Sequence, residues 1–154
     1  MAARAEQITV VLADDHNVIR AGLRGLLEAE ADLRVIGEAA DSAAAARLVE
    51  DRRPRVLVLD LQMPGAAPRT DIPPLRERAA GTAIVVLTMQ NDPRGARDLL
   101  RAGAGAYVLK QAAERQLVEA IRIVADGGSY VDPELGGALA KLEADPLQAL
   151  SERD

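Results

Sequence analysis

Asp14, Asp15, Asp60, Thr88 and Lys110 are the residues whose types and placement could carry chemistry. Each follows a short apolar run: residues 8–13 precede the acidic pair, 56–59 lead into Asp60, 82–87 into Thr88, and 106–109 into Lys110. If these runs are strands of one parallel sheet, their ends share a rim and the groups converge. Three carboxylates in one cleft repel one another unless a cation compensates. Oxygen ligands with open positions suit Mg²⁺, which commonly takes one or two carboxylates plus a phosphate. Lys110 adds a compact positive charge able to meet a phosphoryl oxygen, and Thr88 adds a hydroxyl donor. The set is suited to in-line attack by a carboxylate on phosphorus, yielding an acyl phosphate.

Taken singly, each residue has a plainer reading. Asp14-Asp15 before a helix can be caps favoured by the helix dipole, and Asp60 can be a turn residue. Thr88 can be a structural β-branched hydroxyl and Lys110 a solvated loop charge. Their joint placement on successive run ends argues for function, and so does the composition: of 19 basic residues only Lys110 and Lys141 are lysine. A point-charge ammonium, not a forked guanidinium, is what such a site needs. His16 is the single histidine and stands beside a helix start; it reads as a surface or cap residue rather than a catalytic base.

The elements that must hold these groups are legible in the hydrophobic pattern. Val56-Leu57-Val58-Leu59 is an unbroken run of branched residues bounded by turn residues, as in a strand buried on both faces. Residues 8–13, 82–87 and 106–109 read the same way, while 33–38, less uniformly apolar, reads as a strand near a sheet edge. Helical patterns lie between them. Val18, Ile19, Gly22, Leu23, Leu26 and Leu27 recur at spacings of three and four and predict one inward stripe. Asp41-Ser42 can cap a helix to about Asp51, with Ala45, Leu48 and Val49 inward. Asp71 to Ala80 can form only a short helix, because Pro73-Pro74 must lie at its start. Asp92-Pro93 opens a helix carrying Ala96, Leu99 and Leu100 that stops at Gly103; a further helix with Leu117, Val118, Ile121 and Val124 ends at Gly127-Gly128. Five strands alternating with five helices predict a parallel sheet covered on both sides. A sixth helical segment, 134–144, carries Leu135, Leu139 and Leu142 before Asp145-Pro146 interrupts it.

Composition sets bounds. At 154 residues the chain suits a single domain with one sizeable core. A net charge of -5 supplies no global basic field for nucleic acid or an anionic membrane. The absence of cysteine removes disulfides and thiolate metal sites, and fits a reducing cytosol. Aromatic content of 1%, with no Trp or Phe, argues against base-stacking surfaces.

The combination of Asp14-Asp15, Val56-Leu57-Val58-Leu59-Asp60 with Met63-Pro64-Gly65, Leu87-Thr88, and Ala104-Gly105-Ala106-Tyr107-Val108-Leu109-Lys110 closely resembles the receiver domain of bacterial two-component response regulators, over roughly residues 7–127. Residues 15–23 and 127–133 are similar in particular to the NarL/FixJ subfamily, in which a linker and a LuxR-type helix-turn-helix domain follow. Leu150-Ser151-Glu152-Arg153-Asp154 is similar to the opening of that DNA-binding domain. The resemblance implies a flavodoxin-like five-stranded parallel sheet of order 2-1-3-4-5 with helices on both faces, plus a C-terminal linker helix. It also implies a receiver domain at 1–128, a linker helix at 129–146, and the start of a missing effector domain at 147–154.

Roles follow from the same resemblance. Asp60 would be the phosphoacceptor, taking a phosphoryl group from the phosphohistidine of a sensor histidine kinase. Asp15, assisted by Asp14, would hold Mg²⁺ with Asp60 and the backbone carbonyl of Gln62. Thr88 and Lys110 would contact the phosphoryl group, and Tyr107 would change rotamer as Thr88 moves. The expected product is a cytoplasmic, dimerising signalling phosphoacceptor rather than an enzyme, with no membrane contact, meeting DNA only through the missing domain. Three positions depart from the family pattern: the loop from Pro64 to Asp71 lacks the usual Asp-Gly, Gln111 replaces a proline common elsewhere, and Met89 stands where many receivers carry a small residue. The altered loop motivates a second reading, a phosphorylation-independent dimerisation or sensing module of the same fold. A phosphatase of the haloacid-dehalogenase type would need a second Asp two positions after Asp60, where this chain has Gln62.

Overall fold

The computed structural model describes residues 7–144 apart from Pro64. The strands are β1 (Ile8–Ala13), β2 (Leu33–Ala39), β3 (Val56–Asp60), β4 (Ala83–Thr88), β5 (Ala106–Leu109) and β6 (Tyr130–Val131). They alternate with α1 (Asn17–Glu28), α2 (Ser42–Arg52), α3 (Pro68–Arg78), α4 (Pro93–Ala102), α5 (Ala113–Ala125) and α6 (Pro133–Ala144). All described pairings are parallel, in the order β2-β1-β3-β4-β5-β6.

Alternation along each strand divides the core in two. Val11, Leu57, Ile84, Val86 and Tyr107 face one layer, built with α2, α3 and α4, while Val10, Val56, Val58, Val85 and Val108 face the other, built with α1 and α5. β3 is buried at every position, as its unbroken apolar run requires. The register then sets the functional rim. Ala13 pairs with Leu59, Asp60 with Leu87, and Thr88 with Leu109. Asp14 therefore stands level with Asp60, and Thr88 and Lys110 follow one and two residues farther out.

Three sequence expectations are corrected. The sheet has six strands, not five: Tyr130 N–H donates to Gly105 O and Asp132 N–H to Tyr107 O, so the segment after α5 satisfies the open edge of β5. A strand of two residues is too short to leave a periodic signal. α3 begins three residues earlier than expected and holds Pro73 and Pro74 inside it. Pro68 occupies the first turn, and Asp71 accepts the Ala67 N–H (2.9 Å) and the Ser42 hydroxyl (3.0 Å), so the helix start is secured upstream of both prolines. Gly65, at φ 76, and a turn closed by Ala66 N–H to Met63 O make the connection from β3.

The third correction concerns α1. Leu23 and Leu27 are buried, but Val18 is 86% exposed and Ile19 43%. Val18 lies five residues before Leu23, roughly 140° round the helix at about 100° per residue, so it points outward. The inward place one turn before Leu23 belongs to Arg20.

α6 is not suspended in solvent. Its N-terminus is capped by the buried carboxylate of Asp132, which accepts the N–H of Glu134 (3.0 Å), and fully buried Leu135 joins the layer beneath α4. The side chain of Leu142 and residues 145–154, including the expected start of an effector domain, lie outside the described residues. Leu135→Ala is expected to destabilise the chain by about 2–5 kcal/mol, the usual loss for a buried leucine. Urea unfolding measures this, and a loss below about 0.5 kcal/mol, the range of surface substitutions, would show that α6 rides loosely on the sheet.

Candidate functional site

The rim groups meet. Asp60 is fully buried, with one carboxylate oxygen held twice: Lys110 Nζ lies 2.9 Å from Oδ1, and Gln62 N–H donates to the same oxygen at 3.0 Å. Asp60 Oδ2 has no hydrogen-bond partner among the described residues. Asp14, 1% exposed, accepts the His16 N–H through Oδ1 at 2.8 Å, while its Oδ2 is also unpartnered and 3.9 Å from Lys110 Nζ. Asp15 Oδ1 is a third orphan.

Three carboxylates against one ammonium leave an excess of negative charge where little water can screen it. Buried oxygens without partners are what a site for a hard divalent cation presents before the ion is counted. One atom each from Asp14, Asp15, His16 and Asp60 lies within 4.8 Å of all the others. The three carboxylates of this set supply hard oxygen donors, which fit Mg²⁺.

Thr88 is buried at the end of β4, its hydroxyl accepting the Gln90 N–H at 3.1 Å and meeting Gln62 Nε2 at 3.5 Å. Tyr107 lies behind it, its ring buried and its hydroxyl donating to Gln90 O at 3.3 Å. Burial raises the Tyr107 hydroxyl above its ordinary pKa, so it stays a donor. Met89, beside Thr88 in sequence, is 65% exposed.

A profile of the response regulator receiver domain matches residues 10–122. The chain belongs to that family. Among its relatives is the oxygen regulatory protein NreC of Staphylococcus carnosus (strain TM300), 35% identical over 94% of this chain and 72% of that protein. Among solved structures, a LuxR-family two-component response regulator from Aurantimonas sp. SI85-9A1 superposes with a TM-score of 0.85 at 29% identity, covering 91% of this chain and all of that one. The isolated receiver domain of RcsB from Salmonella enterica serovar Typhimurium, with the phosphomimetic BeF3-, gives 0.78 at 30% identity over 87% of this chain and 99% of that one. The flavodoxin-like expectation is met, with the sixth strand as its amendment. Receivers are signalling phosphoacceptors, and this acidic pocket has the composition of their Mg²⁺ sites. No described helix is long and apolar enough to cross a membrane.

Two features of the receiver site were not anticipated from the sequence. His16 occupies the N-cap position of α1 but makes no side-chain cap bond; its ring Nδ1 instead lies 3.1 Å from Asp15 and 3.4 Å from Asp14. Arg20 reaches back from the inward face of α1 to donate to the Asp14 carbonyl, to Asn17 Oδ1 (2.8 Å) and to Glu38 Oε1 (2.8 Å). Arg24 completes the pairing with Glu38. An arginine one turn before Leu23, on the stripe that buries the leucines, was the available signal.

Burial would raise the Glu38 carboxyl, but the hydrogen bonds from Arg24 and Arg20 outweigh it and hold the pKa below the usual range. A carboxyl lowered in the folded state stabilises above its unfolded pKa of roughly 4.3 and loses that contribution as pH falls through the lower folded value. Glu38→Gln is therefore expected to unfold at a lower temperature than the parent at pH 7, with the gap closing as pH is taken below about 4. Paired thermal melts across that range check it; a gap independent of pH would show that charge pairing is not what the substitution removed.

Proposed function

We propose that this receiver accepts a phosphoryl group on Asp60 Oδ2 and passes the event on as a change of association. The observation that carries this is the asymmetry of the buried Asp60 carboxylate: Oδ1 is fixed by Lys110 and the Gln62 N–H, and Oδ2 is unpartnered. Oδ2 attacks the phosphorus of a phosphohistidine in a sensor kinase, the P–N bond breaks, the imidazole leaves with the electron pair, and an acyl phosphate forms. Asp14, Asp15, Asp60 and the Gln62 carbonyl would hold a divalent cation, which would supply positive charge to offset that of the carboxylates and the phosphoryl oxygens.

Lys110 meets a phosphoryl oxygen with its ammonium, and the Thr88 hydroxyl turns from its present contacts to donate to another. That turn vacates space beside Tyr107, whose ring follows and alters the face formed by α4, β5 and α5. The added charge thus biases two arrangements of one face. RcsB, a structural relative, has been described as dimers bound to DNA and with a phosphomimetic, which supports dimerisation as the output and DNA as the target of an attached effector domain. The expected site of action is the cytoplasm. The loop change after Asp60 leaves every acceptor group in reach, which favours the phosphoryl switch over a phosphorylation-independent module.

Incubation with acetyl phosphate and Mg²⁺, read by intact mass, is expected to add one phosphoryl group to the parent and none to Asp60→Ala. Lys110→Ala is expected to label about 10²-fold more slowly, the usual loss on removing one electrostatic stabiliser. Persistent labelling of Asp60→Ala would overturn the assignment.

A further inference from the structure

His16 is the one imidazole in the chain, and its position is not explained by capping. Nδ1 lies 3.1 Å from Asp15 Oδ1, yet that oxygen has no hydrogen-bond partner, so the contact lacks the alignment of an N–H···O bond. Its separations from Asp15 and Asp14, 3.1 and 3.4 Å, are those of two ligands on one ion. With bonds of about 2.1 Å, neighbouring ligands stand about 3.0 Å apart in an octahedron and about 3.4 Å apart in a tetrahedron. The nearly inaccessible carboxylates of Asp14 and Asp60 each keep one oxygen unpartnered, and each contributes an oxygen to the same cluster.

The donor set differs in kind from a purely oxygen site. Mg²⁺ is hard and takes oxygen; an added imidazole nitrogen favours first-row transition ions, Zn²⁺ among them, over Mg²⁺. We propose that His16 Nδ1 serves as a nitrogen ligand when the acidic pocket takes a transition-metal ion in place of Mg²⁺, with Asp14, Asp15 and Asp60 as its oxygen partners. The inference rests on the reading of this pocket as a divalent-cation site. It makes the receiver responsive to which ion it meets, since an imidazole ligand occupies a position on the ion that water or a phosphoryl oxygen would otherwise take. His16 is 56% exposed, so the ring is reachable from solvent and its removal leaves the core intact.

The test titrates the full chain and His16→Ala with Zn²⁺ and separately with Mg²⁺, reading affinity by calorimetry and the imidazole nitrogens by ¹⁵N NMR. A single histidine makes the ring signals unambiguous. The expected result is that Zn²⁺ moves the Nδ1 resonance to a metal-bound position in the parent and excess Mg²⁺ reverses it. His16→Ala is expected to weaken Zn²⁺ by about tenfold or more, while Mg²⁺ affinity changes less than about twofold. If His16 were only an imidazolium counter-ion to the carboxylates, its removal would tighten both ions alike. That outcome, or an Nδ1 resonance unmoved by Zn²⁺, overturns the proposal. Failure of the parent to bind Mg²⁺ would instead overturn the cation-site reading on which it rests.

Discussion

Negative charge concentrated at the ends of buried strands is the constraint from which the rest of this structure follows. Parallel pairing of β1, β3, β4 and β5 brings the acidic turn, Asp60, Thr88 and Lys110 to one rim, and a slip of any of these strands inward would draw its polar end between two packed apolar layers. Burial of Asp60 is costly for a carboxylate, and Lys110 with the Gln62 N–H offsets it at only one of the two oxygens. The sheet holds in place an arrangement that the site's own charges would otherwise push apart. A divalent cation is the kind of ligand that relieves it.

The acidic turn is held from outside as well as from the sheet. Arg20 places a guanidinium on the Asp14 carbonyl and ties it to Glu38 on the edge strand β2, with Arg24 as second partner. On the same side of the sheet, Arg122 of α5 pairs with Glu30 and Asp32 in the turn between α1 and β2, and its hydrogen bond keeps the Asp32 carboxyl below its ordinary pKa. Exposed pairs of this kind add little stability individually. The contribution of Arg20 is geometric: it sets where the backbone before Asp15 lies.

On the opposite side the site is continuous with α6. Thr88 accepts from the Gln90 N–H, Tyr107 donates to the Gln90 carbonyl, and the Tyr107 carbonyl accepts from Asp132, whose side chain caps α6. The Thr88 hydroxyl is thus separated by a few bonded contacts from a helix packed on α4. β6 has a second consequence: the outer edge of β5 is paired rather than open, so a partner approaching that face meets α6 as well as α4 and α5.

The chain's own pattern determined five of the six strands and the chemical residue at the end of four of them, because a strand buried on both faces must be an uninterrupted apolar run and its end is where polarity resumes. The lysine at position 110, in a chain whose only other lysine is Lys141, was legible for the same local reason. Tertiary structure alone decided that Arg20 serves the acidic turn, that His16 turns its ring to the carboxylates, that Val18 faces solvent, and that Tyr130 and Val131 close the sheet. Each of these depends on helix rotation or on pairing between segments far apart in the chain. Periodicity records which face of an element is apolar, but not which polar groups meet when faces pack.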